Sequence, residues 1–364
     1  MAQLRILHTE ASSGWGGQEI RILTESQVFI RHQHEVILAA DVDSQIAKKA
    51  SSYGVRAFPI LLKKKRWADY LALRQVIKQE KPDVINCHSS TDHWLSALAR
   101  LTLKQKPAIV RTRHISAPVH RNKSTRWLYN KGSEAVMTTG ITIREQLIHD
   151  RFIAQESVFS VPTGIDTDLF KPGDCHAQRK ILNLPANQYI FGIVATLRSW
   201  KGHSDLIQAF DLLNNPNASL VIVGDGPQLD NLKKHISETH FPHNIHLVGN
   251  QSNVLPYLQS MDCFVLPSYA NEGVPQALLQ AMAVGLPVIS CPIGGIPESL
   301  EGYTQGTLVP TKSPEALAKA MSNQIEKKSK KLTPARHTPF TLEGMYSSAL
   351  AVYELARQKV INRS

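Results

Sequence analysis

The chain has 364 residues, of which 42% are hydrophobic and 20% charged, and its formal net charge is +11. This length suits two α/β domains better than one, and the balance of apolar and charged residues is that of a globular protein. No apolar run approaches the ~18 residues that a membrane-spanning helix needs, and MAQLRILHTEASS at the N-terminus lacks the basic and apolar regions of a secretory signal.

Strands and helices alternate along the first half of the chain. Strands are predicted at LRILH, HEVILAA, YGVRAFPI, DVINCHS, AIVRTRH and EAVMTTG, and helices at EIRILTESQVFIRHQ, DYLALRQVIKQEKP and WLSALARLTL. This order predicts a parallel, doubly wound sheet. A glycine-rich turn that includes Gly16 and Gly17 follows the first strand. Such a turn lets backbone amides approach an anion at a helix N-terminus, although a purely structural tight turn explains it equally well.

The second half repeats the pattern. Strands are predicted at YIFGIVAT, ASLVIVGDG, IHLVGN, DCFVLP and PVISC, and helices at HSDLIQAFDLL, PQLDNLKKHISE, NVLPYLQSM and PQALLQAMAVG. Residues 161–187 are rich in Pro, Gly and Asp and are predicted to be the linker. Residues 342–360 read as one final helix. Ligands bind at the carboxyl ends of strands in open α/β sheets, so both domains are expected to contribute loops to a cleft.

Three loops of the second half carry residues suited to a phosphorylated ligand. Arg198 and Lys201 lie between a strand and a helix, where two cations can clamp a diphosphate; the alternative is a solvated basic loop. Gly224 is the first residue of a Gly-Asp-Gly-Pro motif. A purely structural turn explains this motif as well as a contact with a nucleotide does. Glu272 precedes a helix that carries Gln280 eight residues later, and its alternative role is a helix cap.

With the loop that carries Glu272, the sequence resembles the retaining glycosyltransferase family 4 of the GT-B fold. The resemblance runs over nearly the whole chain. The motifs that carry the resemblance occur in the family's order: Gly16, Gly17 and Glu19; Pro162, Gly164, Ile165, Asp166 and Phe170; Lys201 and Gly202; Gly224 to Pro227; and the signature that begins at Glu272. The resemblance implies two Rossmann-like domains that face each other across a cleft. The expected domains are residues 1–165 for the acceptor and 166–341 for the nucleotide sugar, with residues 342–364 packing back on the first.

The resemblance also implies roles for individual residues. Glu272 and His114 are the expected catalytic residues, with Glu272 holding the donor sugar and His114 facing it from the first domain; a structural histidine at a strand end is the alternative. The expected donor-binding residues are Gly16, Gly17, Arg198, Lys201, Gly224, Gly273, Val274 and Gln280.

Two positions depart from the family pattern. The family usually has glutamate where this chain has Gln280, and an amide can still hydrogen-bond a ribose but without a charge-assisted bond. The family commonly has arginine at the position of Thr196, and Arg198 is the expected substitute.

The function expected is transfer of a sugar, with retention, from a nucleotide diphosphate sugar to a glycan or lipid-linked acceptor in cell-envelope polysaccharide or lipopolysaccharide synthesis. A same-face displacement is favoured because no side-chain nucleophile is evident, and neither a metal nor another cofactor is expected because no Asp-x-Asp motif occurs. A nucleotide-sugar epimerase of the same fold and a non-catalytic nucleotide-sugar-binding protein are the alternatives. Nucleic-acid binding is not expected.

The net charge is uneven. Residues 1–165 hold 24 Lys/Arg and 14 Asp/Glu, which gives +10, and the remainder holds 17 and 16. We expect a cytoplasmic protein that lies peripherally on the cytosolic face of the inner membrane, where residues 63–66 (KKKR) attract anionic lipid. A phosphorylated soluble acceptor and a merely solvated basic face explain the same charge. The four cysteines are widely spaced and are predicted to be reduced.

Overall fold

The structure is a computed structural model that describes residues 3–149, 152–327 and 340–363. The chain divides into two compact α/β units. The first unit contains residues 3–164 and the C-terminal segment from residue 340, and the second contains residues 165–327. The predicted α/β class is confirmed, because each unit is built on one parallel sheet with helices between its strands.

The first unit has a seven-stranded sheet in the order β3-β2-β1-β4-β5-β6-β7. Its strands are β1 (Arg5–Glu10), β2 (Glu35–Asp41), β3 (Arg56–Ile60), β4 (Val84–Cys87), β5 (Ala108–Arg113), β6 (Ala135–Thr138) and β7 (Val158–Ser160). Its helices are α1 (Gly17–Arg31), α2 (Gln45–Lys49), α3 (Trp67–Glu80), α4 (Ser90–Leu101), α5 (Lys123–Asn130) and α6 (Ile141–Ile148). The order reverses between β1 and β4, since β2 lies on one side of β1 and β4 on the other.

The second unit has a six-stranded sheet in the order β10-β9-β8-β11-β12-β13. Its strands are β8 (Tyr189–Val194), β9 (Ala218–Val223), β10 (Ile245–Gly249), β11 (Cys263–Leu266), β12 (Val288–Ser290) and β13 (Gly306–Leu308). Its helices are α7 (Cys175–Ile181), α8 (His203–Leu213), α9 (Leu229–Ser237), α10 (Leu255–Ser260), α11 (Gln276–Val284), α12 (Ile296–Leu300) and α13 (Pro314–Lys327). The order reverses between β8 and β11.

The predicted linker is more ordered than its composition suggests. Asp174 caps α7 by accepting hydrogen bonds from the amides of His176 and Ala177. Arg179 then donates to the carbonyl of Ser260 at 2.9 Å and pairs with Asp262 at 2.6 Å. These contacts hold the helix against the second unit.

The last helix, α14 (Leu342–Ile361), belongs to the first unit. Thr341 caps it by accepting from the amide of Gly344 at 3.1 Å. Met345, Tyr353 and Ala356 are fully buried in a core that also contains residues of α1, β1, β4 and β5. The C-terminal segment therefore completes one face of the first sheet.

Candidate functional site

The second sheet provides a crevice where its strand order reverses. The segments that follow β8 and β11 start from neighbouring strands at the same carboxyl edge and lead into α8 and α11. Open α/β sheets bind ligands at such a point, outside the carboxyl ends of their strands. Lys201 lies in the first segment and Glu272 in the second.

Lys201 and Glu272 form an ion pair at this crevice. Lys201 Nζ lies 2.6 Å from Glu272 Oε1, and the Glu272 side chain is only 5% exposed. A buried carboxylate is costly without a partner, so the pair fixes both side chains. The lysine retains 18% exposure and donors beyond the one given to Glu272, so it can also bind an anion.

A neighbouring loop holds Glu272 in place. Asn271, directly before Glu272, adopts a left-handed conformation with φ of 57°, which asparagine tolerates better than most residues. Gly294 approaches so closely that a Cβ on it would lie 2.2 Å from the Glu272 carbonyl oxygen, and its φ is 59°. The amide of Gly295 donates to the carbonyl of Gly273 at 2.8 Å. The backbone after β12 therefore positions the backbone around Glu272.

Gly224 has a structural reason to be glycine. Its φ is 146°, and a Cβ would lie 2.0 Å from the carbonyl oxygen of Ala195. The adjacent turn forms backbone hydrogen bonds with the loop after β8. The amide of Leu197 donates to the carbonyl of Asp225 at 3.0 Å, and the amide of Gln228 donates to the carbonyl of Leu197 at 3.1 Å. This turn supports the loop that carries Lys201.

Arg198 lies in the same loop as Lys201, beside Trp200. Its guanidinium is 5.6 Å from the ring centroid of Trp200. It lines a cavity of about 230 Å³ together with His203 and Tyr269, and neither Lys201 nor Glu272 is among the lining residues. The structure thus places the two predicted diphosphate cations in different surroundings.

Two polar side chains on either side of Glu272 were not selected by the sequence analysis. Within the part of the chain that the structure describes, Ser268 Oγ and Gln276 Oε1 are buried atoms without a hydrogen-bond partner. Gln276 begins α11, and Gln280 lies one turn later on the same helix face and is 8% exposed. Unpartnered buried polar atoms call for a missing partner such as water or a ligand. A serine two residues after a buried strand and a glutamine at a helix start were the available signals.

In the first unit, Gly16 and Gly17 lie at the start of α1, as the glycine-rich turn predicted. Gly16 is the extended N-cap residue and Gly17 is the first helical residue. A Cβ on Gly17 would meet nothing within 4 Å, and one on Gly16 would meet only Glu19 Oε2 at 3.8 Å. The fold therefore leaves open space beside these two glycines.

A buried polar cluster at the edge of the first sheet was missed by the sequence analysis. Glu10 ends β1, and burial, followed by the charges of Asp92 and Glu19, raises its pKa to about 8. Asp92 accepts hydrogen bonds from the Thr9 hydroxyl at 2.8 Å and the His88 amide at 2.9 Å. The signal was a run of polar residues in strands that are otherwise apolar.

His114 follows β5 and joins this cluster. Its Nε2 lies 2.9 Å from His88 Nδ1, and its pKa is held well below the usual value by burial and by Arg21 and Arg111. A neutral imidazole is therefore present at this strand end.

The described residues include no group of three or more His, Cys, Asp or Glu arranged to hold a metal ion. In that same part of the chain, no helix is long and apolar enough to span a membrane. All four cysteines are free.

Comparison with known proteins places both halves of the chain. Residues 15–169 match the model described as Glycosyltransferase Family 4, and residues 175–337 match that of Glycosyl transferases group 1. A UDP-Gal:alpha-D-GlcNAc-diphosphoundecaprenol alpha-1,3-galactosyltransferase of Escherichia coli is 27% identical over 317 residues, which cover 81% of each chain.

Solved structures share the fold. Anabaena Alr3699/HepE in complex with UDP-glucose superposes with a TM-score of 0.82 at 18% identity, over 99% of this chain and 100% of that one. The apo lipopolysaccharide outer core galactosyltransferase WaaB superposes with a TM-score of 0.66 at 17% identity, over 99% of each chain.

Proposed function

Because the chain belongs to the group 1 glycosyltransferases of family 4, with the GT-B fold, we propose that it transfers a hexosyl group, with retention, from a UDP-sugar to a lipid-linked or glycan acceptor in cell-envelope synthesis. The choice of UDP is supported by the UDP-Gal in the name of the Escherichia coli relative and by the UDP-glucose in complex with the Anabaena protein. The diphosphoundecaprenol in the relative's name supports a lipid-linked acceptor.

The observation that carries the proposal is the Lys201–Glu272 pair at the point where the second sheet reverses its order. A diphosphate brings negative charge that competes with Glu272 for the lysine. As Lys201 turns toward the phosphates, Glu272 becomes free to accept hydrogen bonds from sugar hydroxyls. One pair therefore provides both the cation for the leaving group and the acceptor for the sugar.

The chemical step needs no protein nucleophile. The bond from the anomeric carbon to the phosphate oxygen breaks, and its electron pair stays on the diphosphate, whose charge Lys201 stabilises. The acceptor hydroxyl forms its bond on the same face of the sugar, and its proton passes to the departing phosphate oxygen. The chain's contribution is charge stabilisation and positioning.

The remaining assignments follow the family resemblance. His114 contacts the donor sugar, Gln280 the ribose, and the amides of Gly273 and Val274 the phosphates. Ser268 and Gln276 supply further hydrogen bonds, as their unpartnered buried atoms suggest. Arg198 is the weakest assignment, because its guanidinium lies near Trp200 whereas Lys201 pairs with Glu272.

The test is donor binding and transfer by the full chain. Lys201→Ala should weaken UDP-hexose binding about 10- to 100-fold. This factor corresponds to the free energy of one hydrogen bond to a charged group. Lys233→Ala, an exposed lysine on α9, is the matched control. Because the first change leaves a buried carboxylate unpaired, unfolding is measured in parallel. Unaltered binding by folded Lys201→Ala protein would contradict the site, and turnover of the donor without any acceptor would indicate an epimerase.

We further propose that the first unit docks on an anionic membrane surface. With α14 included, residues 1–164 and 338–364 hold 27 Lys/Arg and 16 Asp/Glu, so the whole net charge of +11 falls in this unit. The basic run alone is weaker than its composition suggests. Lys63 pairs with Asp41 and Asp43, and Arg66 pairs with Asp69.

Aromatic side chains beside the run strengthen the membrane proposal. Trp67 is 73% exposed and stacks on Tyr70. Trp94 stacks on Trp127, and Lys65 Nζ lies 5.6 Å from the Trp94 ring centroid. Tryptophan and lysine together are typical of a surface that enters the headgroup region.

Vesicle sedimentation tests this docking surface. The full chain should bind anionic vesicles at low salt and lose most binding in Trp67→Ser and in Lys64→Glu/Lys65→Glu, because the apolar and electrostatic contributions both fall. Ile181→Ser, at a side chain 69% exposed in the second unit, is the control and should bind normally. Equal binding to neutral and anionic vesicles would contradict docking on an anionic surface, and binding to neither would favour a soluble acceptor.

A further inference from the structure

Three histidines form a continuous row at the carboxyl edge of the first sheet. His8 Nδ1 lies 2.8 Å from His88 Nε2, and His88 Nδ1 lies 2.9 Å from His114 Nε2. The rings of His8 and His88 are stacked with centroids 5.1 Å apart. Each ring therefore uses a nitrogen to contact the next one.

The topology explains why these three residues meet. His8 lies in β1, His88 directly follows β4, and His114 directly follows β5, and these are adjacent strands. The register pairs His8 with Asn86 and Cys87 with Arg111, so the three histidines follow one another obliquely across the three strands. The row thus starts at the point where this sheet reverses its order, where such folds bind ligands.

Burial favours the neutral form of all three imidazoles in the folded protein. Burial is the first cause of the lowered pKa of each ring, and the cations Arg21 and Arg111 lower those of His88 and His114 further. Glu25 opposes this effect at His8. A neutral imidazole carries one N–H donor and one acceptor nitrogen.

In a row of neutral rings, each contact holds one proton and each ring has only one N–H, so all three rings donate in the same direction along the row. The direction is inward if each ring donates toward His8 and outward if each donates toward His114. If the rings donate inward, His8 Nε2 carries a proton. If they donate outward, His8 Nε2 is a bare acceptor. This nitrogen is buried and has no hydrogen-bond partner among the described residues.

The inner end of the row favours the outward direction. An orphaned buried N–H is rarer in proteins than an orphaned acceptor. A bare His8 Nε2 leaves an acceptor without a partner rather than a donor.

We propose that His8 and His88 are positioning residues that hold His114 in its Nδ1–H tautomer, with this N–H as the donor left for a ligand. His8 donates through Nδ1 to His88, and His88 donates through Nδ1 to His114 Nε2. The use of this donor on the substrate rests on the proposed function, in which His114 contacts the donor sugar, where an N–H can bind a sugar hydroxyl oxygen. The tautomer itself depends only on the row.

Long-range ¹H–¹⁵N correlation spectra of the full chain at pH 8 read the tautomer directly. The three rings should all be Nδ1–H forms, whereas the inward direction would make all three Nε2–H and overturn the proposal. This measurement needs no substitution and no substrate. It remains decisive even if the protein proves to transfer no sugar.

Substitution tests the positioning role. His88→Leu should return His114 to the Nε2–H form that isolated imidazole prefers and lower kcat for transfer about tenfold, with little change in the KM for the donor. His88→Gln, whose amide N–H can donate to His114, should restore much of that loss. An unchanged kcat in folded His88→Leu protein would refute the positioning role. Full transfer by His114→Ala would instead show that the assigned role of His114 is wrong.

Discussion

The carboxyl edges of the two sheets are built by different means. In the first unit, the edge is organised by buried titratable side chains: Glu10, Asp92 and the histidine row. In the second unit, it is organised by backbone that packs closer than a Cβ would allow, at Gly224 and Gly294, around one ion pair. The first edge should therefore respond to pH, and the second should respond to the addition of a methyl group.

The largest expected effect comes from adding that methyl group in the second unit. Gly294→Ala and Gly224→Ala should each lower the free energy of unfolding by about 3 kcal/mol or more. Both glycines have positive φ, and the added Cβ would clash with a backbone carbonyl oxygen. Urea denaturation of the full chain measures the change. A loss below about 1 kcal/mol would show that backbone packing does not organise this edge.

The next effect distinguishes the edges by pH. The Glu10 carboxyl keeps its proton up to a pKa of about 8 in the folded chain but ionises near 4.5 when unfolded. The folded state thus binds more protons between these values, and stability falls as the pH rises through this window. Glu10→Gln should therefore gain stability relative to the parent from pH 5 to pH 8. A pH-independent difference between the two unfolding free energies would contradict this.

The histidines act in the opposite sense. Their lowered pKa values make the folded state bind fewer protons than the unfolded one below about pH 6.5, so stability falls as the solution becomes acidic. Because parent and Glu10→Gln share the histidines, this contribution cancels in their difference. The comparison therefore reports on Glu10 together with Asp92, whose charge acts on it.

A smaller effect is expected at Gln280, within the second edge. Gln280→Leu should weaken UDP-hexose binding about tenfold through loss of a ribose hydrogen bond, and Gln280→Glu should bind as well as the parent or more tightly. Calorimetric titration gives both affinities. Equal affinity of the leucine variant and the parent would remove the ribose assignment.

The smallest effect on folding is expected at Gly17. Gly17→Ala should change the free energy of unfolding by no more than about 0.5 kcal/mol, because its Cβ would enter open space. A drop in donor affinity with unchanged stability would then assign that space to the ligand. Destabilisation comparable to that of Gly294→Ala would contradict the claim that close backbone packing distinguishes the second edge from the first.

Much of the fold follows from the sequence alone. Apolar strands such as VINC and ASLVIV alternate with amphipathic helices, and glycines punctuate the turns, so two parallel sheets and their strand ends were predictable. The motif order also indicated the family. Short elements were harder, since α7 and β13 have seven and three residues, too few for a periodic signal.

Lys201 and Glu272 were identified as separate strand-end residues, and only the adjacency of β8 and β11 showed that they pair. Likewise, His8, His88 and His114 are separated by 80 and 26 residues, and no local pattern links them. Sequence periodicity reports what each segment buries locally. Strand order decides which distant side chains become neighbours, and burial there decides their charge, so the ion pair and the histidine row are products of tertiary structure.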